Sequence, residues 1–249
     1  MQAIKMAAAV AAACAFLCAC GGGGDDSSGP GSSSQPVTYP KTTPVAGSLD
    51  VFATAYTDSA NNTVTQHWQQ QVTTTNTDGS YSLEQTDPTN ATVTVDGITY
   101  HVSPRAENFA ADGHAIDYTV THPDASTDHC SYANFTGNRK LPLSVGESWT
   151  NDFTIACADG TSTAYTVSET VVSAEQVTVP AGTFSALKEQ MTSTWTTPRG
   201  EHVVETETHW IDPARSFFTL KSTSTYVRTG TVPSVYVTGQ TTELQSRSR

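Results

Sequence analysis

Positive charge is scarce in this chain: 12 Lys and Arg stand against 24 Asp and Glu, a formal net charge of −12 at pH 7. No cluster of cations occurs anywhere along it. Binding to nucleic acid, or to an anionic lipid surface through charge, needs such a cluster, so nucleic acid is excluded as a partner. Helical periodicity is missing beyond the first 20 residues, and the only short candidates for helix are 104–111 and 212–216. No apolar run reaches the roughly 20 residues that a membrane-spanning helix requires. Nor is there a G-x-S-x-G elbow, an H-E-x-x-H pair, a phosphate-binding loop or a glycine-rich dinucleotide fingerprint. The chain is therefore read as no enzyme, with no cofactor.

Cysteine is scarce as well, at five in 249 residues, and three of the five fall in the first 20. Those first residues have the parts of a secretory signal. Lys5 supplies the positive start, 7–17 is apolar, and Leu17-Cys18-Ala19-Cys20 leads into four glycines. An aliphatic residue three positions before a cysteine, with a small residue directly before it, is the pattern of a bacterial lipoprotein processing site. Cys20 would take the diacylglyceryl group. Cys14 and Cys18 fit less well, with Ala11 three positions before the first and the bulky Leu17 directly before the second. Ala11-Ala12-Ala13 could instead imitate an ordinary cleavage site. By resemblance to known lipoprotein sorting rules, Gly21 after the modified cysteine, rather than Asp, favours the outer membrane, with the domain in the periplasm or exposed at the surface.

This divides the chain into a signal at 1–19, a lipidated cysteine with a Gly/Ser-rich tether at 20–36, and a domain at 37–249. Loss of Lys5 with the signal leaves 11 Lys and Arg against 24 Asp and Glu, a net charge of −13. The two cysteines left in the domain, Cys130 and Cys157, would sit in a compartment where disulfides persist, and we pair them. Neither belongs to a C-x-x-C, so a redox or metal pair is the weaker reading. Closing that loop would stabilise the fold by about 3.5 kcal/mol on the chain-entropy model.

Threonine makes up 42 of the 249 residues, and with Val, Tyr, Phe and Trp it gives a strongly β-prone composition. Strand signals recur at 49–57, 64–74, 80–87, 115–122, 129–135, 217–227 and 235–244. Along 64–74, Val64, Trp68 and Val72 share a face with Gln66 and Gln70. Hairpins are expected at 91–102 around Asp96-Gly97, at 148–174 around Ala158-Asp159-Gly160, and at 183–211 around Pro198-Arg199-Gly200. The expected fold is all-β: a single antiparallel meander forming a curved sheet, a half-open barrel or a sandwich.

Three stretches carry a resemblance. They are Leu141-Pro142-Leu143-Ser144-Val145-Gly146-Glu147-Ser148-Trp149, then Val177-Thr178-Val179-Pro180-Ala181-Gly182-Thr183-Phe184, and His209-Trp210-Ile211-Asp212-Pro213 running on to Leu220-Lys221. Together they resemble a family of uncharacterised bacterial periplasmic and lipoprotein β-domains. Ser216 stands where that family has glycine, and His209 where it has tyrosine. The resemblance implies a curved, half-open barrel like those of lipoprotein carriers, a fold that can cradle acyl chains. Pro180-Ala181-Gly182 reads as a turn with Phe184 packing into the core, and Trp149 and Trp210 read as core anchors.

Two polar groupings could carry chemistry. Glu205, Glu207 and His209 alternate along one strand face and could share a metal only if a neighbouring strand supplied more ligands. The preferred reading is a solvated face opposite Val204 and Trp210, with no metal. His122, Asp124, Asp128 and His129 surround a loop but match no zinc spacing. The function expected is a lipid-anchored, non-catalytic envelope domain that binds an apolar ligand or lipid. The alternative is a structural or interaction module that contacts another envelope protein. An apolar inner wall would favour the first, and a filled interior the second.

Overall fold

A computed structural model describes residues 37–87, 93–95, 98–100, 104–122, 124–137, 141–232 and 235–248. The signal, Cys20, the tether and the Asp96-Gly97 turn lie outside the described residues. All regular structure within them is strand. In chain order the strands are β1 (Thr38–Tyr39), β2 (Leu49–Asp58), β3 (Thr63–Thr75), β4 (Tyr81–Thr86), β5 (Val93–Val95) and β6 (Ile98–Tyr100). Then come β7 (Arg105–Phe109), β8 (Ala115–Thr121), β9 (Thr127–Thr136), β10 (Leu143–Ser144) and β11 (Ser148–Cys157). The chain closes with β12 (Ser162–Val179), β13 (Gly182–Thr196), β14 (His202–Asp212), β15 (Phe218–Thr229) and β16 (Val237–Ser248).

Twelve strands form one closed barrel in the order β2-β3-β4-β7-β8-β9-β11-β12-β13-β14-β15-β16 and back to β2. Every neighbouring pair is antiparallel, as a meander requires, and β16 seals against β2 with Leu244 opposite Phe52. The wall is thus complete rather than half-open, and no barrel strand is left with an unpaired edge. β5 and β6 make a separate hairpin, and β1 pairs with β10 outside the wall. The candidate helix at 104–111 is instead strand β7. Its backbone bonds to β4 on one side and β8 on the other, which a five-residue helix could not match. The candidate helix at 212–216 is the end of β14 followed by a turn at 213–217.

Local chemistry explains where strands stop. Asp58, Asp78, Asp124, Asp159 and Asp212 each accept a hydrogen bond from the backbone N–H two residues on, the Asx pattern of tight turns. At the end of β9 only glycine fits, because a Cβ on Gly137 would lie 1.9 Å from the Thr150 carbonyl oxygen on β11.

The apolar core sits toward the ends of the barrel. At the end where β12 turns into β13, Phe52, Leu220 and Leu244 pack with Val177, Val179 and Ala186. A bulge between Val171 and Ser173 bends the long hairpin, and its tip reaches across to β16, where Ala181 N–H donates to the Leu244 oxygen at 3.2 Å. The Val-Pro-Ala-Gly-Thr-Phe stretch is therefore a lid over one barrel end, with Phe184 against the same cluster. Beside it Trp149 packs with Leu143, Val171, Leu187, Ile211 and Phe217. At the opposite end Tyr118, Ile155 and Tyr165 surround the Cys130–Cys157 disulfide, which joins facing positions of β9 and β11.

Candidate functional site

Between the two apolar ends the inner wall is acidic. Strand alternation puts Val167, Glu169 and Val171 of β12 inward, with Leu187, Glu189 and Met191 of β13 and Val203, Glu205, Glu207 and Ile211 of β14. Register then gathers the acids on adjoining strands. Glu169 stands across from Met191, which has Glu207 on its other side, Glu189 stands across from His209, and Glu205 across from Ser193 and Tyr226. All four glutamates are buried, Glu189 completely and Glu205 to within 2 %.

Burial decides their chemistry. Desolvation pushes the Glu205 carboxyl up to about 7, against the smaller opposing pull of the Tyr226 and Ser224 hydroxyls and the Arg228 charge. Glu207 is raised well above the usual carboxylate range, first by burial and then by the negative charge of Glu205, with Glu189 and Glu169 adding to it. Tyr226 is raised as well, by burial and by Glu205 beside it. One oxygen of Glu205, Oε2, has no hydrogen-bond partner. Around Glu189, His209 places Nδ1 at 3.9 Å, while its Nε2 meets Thr219 Oγ1 at 2.9 Å.

Above Glu169, at the apolar end, lies a cavity of about 200 Å³. Its walls are the rings of Tyr81, Phe135 and Phe217. Its polar groups are Glu169, Asn151 and Ser216, with the more exposed Lys41, Asp112 and His114. Asn151 directs Nδ2 to Glu169 Oε1 at 3.4 Å, while its Oδ1 has no partner. Lys41 donates to the Ala111 oxygen at 2.7 Å and sits 5.0 Å from the centre of the Tyr81 ring. Its pKa is lowered by burial, and Asp112 works in the opposite direction. His114 and Asp112 pair at 2.5 Å.

The Phe217 wall is held by strained backbone. Ser216 and Phe217 both adopt left-handed φ, at 53° and 61°, a cost of order 1–3 kcal/mol per residue. Thr42 secures them: Ser216 N–H donates to Thr42 Oγ1 at 2.7 Å and Ser216 Oγ to the Thr42 carbonyl, while Phe217 N–H reaches the Asp212 oxygen. Ser216 thus has a backbone geometry that glycine would adopt without strain.

The sequence-level candidates distribute as follows. Glu205, Glu207 and His209 do share a face, but that face is the barrel interior and not a solvated one; Val204 and Trp210 point outward. Among the described residues no three His, Cys, Asp or Glu side chains converge on a metal position. His122 and Asp128 pair at 2.7 Å, but Asp124 caps its own turn through Ser126, and His129 meets Thr119 instead. They form no single site. Trp210 packs against the same apolar cluster as the lid and donates Nε1 to Glu175 at 2.8 Å. Glu169 and Glu189 were missed, although each falls in phase with apolar neighbours two residues away on its strand, which is the signal of an inward acid.

No protein-family model matches the chain, and no curated protein sequence does. Two solved structures are similar to it. A presumed exported protein of Bacteroides fragilis with a YmcC-like fold superposes with a TM-score of 0.50 at 11% identity, covering 85% of this chain and 100% of the other. A presumed lipoprotein of Parabacteroides distasonis covers 86% of this chain and 100% of its own at 15% identity, with a TM-score of 0.45. The first likeness bears on the fold alone.

Proposed function

We propose that the chain is a lipid-anchored, non-catalytic lipoprotein of the bacterial envelope, held at the outer membrane through Cys20, whose barrel stands in water and acts as an interaction module. The observation that carries this is the outer wall. Its outward positions include Ser148 and Thr150 on β11, Thr166, Ser168 and Thr170 on β12, Gln190, Thr192 and Thr194 on β13, and Thr206 and Thr208 on β14. Cross-strand hydroxyls bond along it, Ser148 to Thr170 at 2.8 Å and Thr150 to Ser168 at 3.1 Å. A membrane-embedded barrel needs an apolar outer band between aromatic girdles. A hydroxyl-rich wall belongs in water, so attachment to a membrane falls to the N-terminal cysteine. The exported protein that shares the fold agrees with an envelope location.

Carriage of an acyl chain or lipid fits less well. It calls for an apolar inner wall, and the middle of this one carries Glu169, Glu189, Glu205 and Glu207. Contact with another envelope protein through the Thr/Ser-rich exterior makes no such demand.

The anchor is tested in bacteria. Cys20→Ser should abolish incorporation of labelled palmitate. Replacing residues 1–20 by a signal cleaved at an ordinary Ala-x-Ala site should release the barrel into the soluble periplasmic fraction without detergent. A barrel that stays with the membrane in that second form would refute the water-facing assignment.

A further inference from the structure

The rim at the lid end of the barrel carries exposed apolar side chains on firmly held turns, close to where the tether enters the domain. We propose that the barrel stands upright on the lipid surface that holds its anchor, with Val37, Val45 and Val145 seated among the headgroups and the disulfide end turned away. This rests on the lipidation of Cys20 proposed for the anchor.

Exposure is the first observation. Among the described residues five large hydrophobics are exposed, and four stand at this end: Val37 at 68%, Val45 at 66%, Val145 at 48% and Ile116, near the start of β8, at 42%. The second is that two of these valines sit on matching turns. Gly47 N–H donates to the Val72 oxygen at 2.7 Å and Val72 N–H to the Ser48 oxygen at 2.9 Å. Likewise Gly146 N–H donates to the Val171 oxygen at 2.7 Å and Val171 N–H to the Glu147 oxygen at 2.9 Å. Val72 and Val171 are buried to within 1%, so each turn is clamped to the core and its valine is held out in water. The third is placement. β3 and β12 lie six strands apart in the ring of twelve, counted either way, so Val45 and Val145 mark opposite sides of one rim. Contacts on both sides of a rim keep the barrel axis near the membrane normal. Val37 falls beside Val145, because Thr38 pairs with Ser144 in antiparallel register.

The length of chain before Val37 decides what covers the patch. Sixteen residues separate it from Cys20, a reach of at most about 60 Å. A partner linked by so short a segment acts at an effective concentration of about millimolar. Three valines bury less hydrocarbon than one myristoyl chain, whose own hold is marginal. The patch therefore orients an anchored barrel and does not retain one that has lost its anchor. The turns of the opposite rim carry Asp58, Asp124 and Asp159, and acidic groups are repelled by anionic headgroups.

The test uses the whole chain, acylated at Cys20 and reconstituted into phosphatidylcholine vesicles that contain a lipid with a nitroxide high on its acyl chain. Cys130 and Cys157 are bonded to each other, so Ala46→Cys or Arg199→Cys supplies one free thiol for a fluorophore. Ala46 is exposed beside Val45, and Arg199 is exposed in the turn between β13 and β14 at the far end. The label at 46 should be quenched several-fold more than the label at 199. Combining Val37→Ser, Val45→Ser and Val145→Ser should bring the two level while the chain still floats with the vesicles. If that triple variant fails to fold, the contrast between the two labels in the parent decides alone. A floating chain with equal quenching at both labels, or a folded triple variant with the contrast intact, would overturn the orientation and leave the anchor standing. A label at 46 shielded from aqueous iodide yet untouched by the nitroxide would put protein on the patch, and would overturn the proposal too. A chain that does not float would refute lipidation at Cys20 and this inference with it.

Discussion

Two sets of acids are buried in this barrel, and they are accommodated in opposite ways. Near the β16–β2 seam, Asp50 is 2 % exposed and meets two guanidinium groups: Arg247 clasps both its oxygens at 3.0 Å, and Arg215 approaches to 3.1 Å. Arg247 also reaches Asp212. At mid-barrel Glu205 is equally buried, but its cross-strand neighbours are Ser193 and Tyr226, and those of Glu207 are Met191 and Ser224. The difference lies in register. Asp50 is opposite Arg247 on the neighbouring strand, while Glu205 and Glu207 face hydroxyls and a thioether sulfur. The first set is matched by cations. In the second, burial raises Glu205 to about 7 and Glu207 well above the usual carboxylate range, so that a proton takes the place of a counter-ion.

The arginine side of this contrast should break hardest. Arg247→Met leaves Asp50 and Asp212 buried with a guanidinium removed and takes away the contact of Arg247 with the Phe184 ring. Stripping one partner from a buried pair costs about 3–5 kcal/mol, and denaturant unfolding at neutral pH should show a loss of that order. Adding Asp50→Asn to Arg247→Met should recover a measurable part, because one stranded charge is then gone. A single variant that loses under about 1 kcal/mol would mean that the seam does not depend on this pairing.

The glutamate side predicts a gain in place of a loss. Glu205 in the folded chain titrates near 7, above the 4.5 of an ordinary glutamate, so the folded state binds its proton more tightly than the unfolded one. Its contribution to stability is therefore whole below about pH 4.5 and is lost as pH rises through 7, by roughly 3 kcal/mol at most. Glu205→Gln removes that dependence. The variant should match the parent at pH 5 and exceed it by about 1–3 kcal/mol at pH 8. Unfolding curves at the two pH values decide this. An equal effect at both would show that the carboxyl is not held protonated by burial.

Much of this architecture was readable from residue alternation, and the failures have physical causes. Thr/Val alternation and Asp-rich turns were enough for an all-β meander, and the shared face of Val64, Gln66, Trp68 and Val72 on β3 came out as expected because a wholly buried Val72 marks its phase. On β14 the same method chose the wrong face. Val204 and Trp210 were taken as the inner side, whereas Val203 and Ile211 are, and Trp210 finds its apolar contacts outside the wall under the bent β12–β13 lid. A lid made by one hairpin folding over another strand leaves no trace in local periodicity. Closure of the barrel was equally hidden, since it depends on Leu244 meeting Phe52 across nearly the whole domain. The cavity was invisible for the same reason: Lys41, Tyr81, Asn151 and Phe217 come from distant stretches and meet only after closure.

The smallest expected effect tests whether burial, rather than the mere presence of an ion pair, separates the two acid sets. Lys221 and Glu243 lie opposite each other on the outer wall and pair at 2.6 Å, a contact shorter than those Asp50 makes, yet their side chains are 27% and 32% exposed. Water solvates both partners before and after folding, so the Coulomb gain is largely matched by the hydration and side-chain freedom given up. Lys221→Ala should therefore cost about 0–1 kcal/mol, and added salt should shrink the difference further. Lys221 also stands 6.0 Å from the Trp210 ring, so a loss of more than about 2 kcal/mol would assign real stabilisation to that aromatic contact.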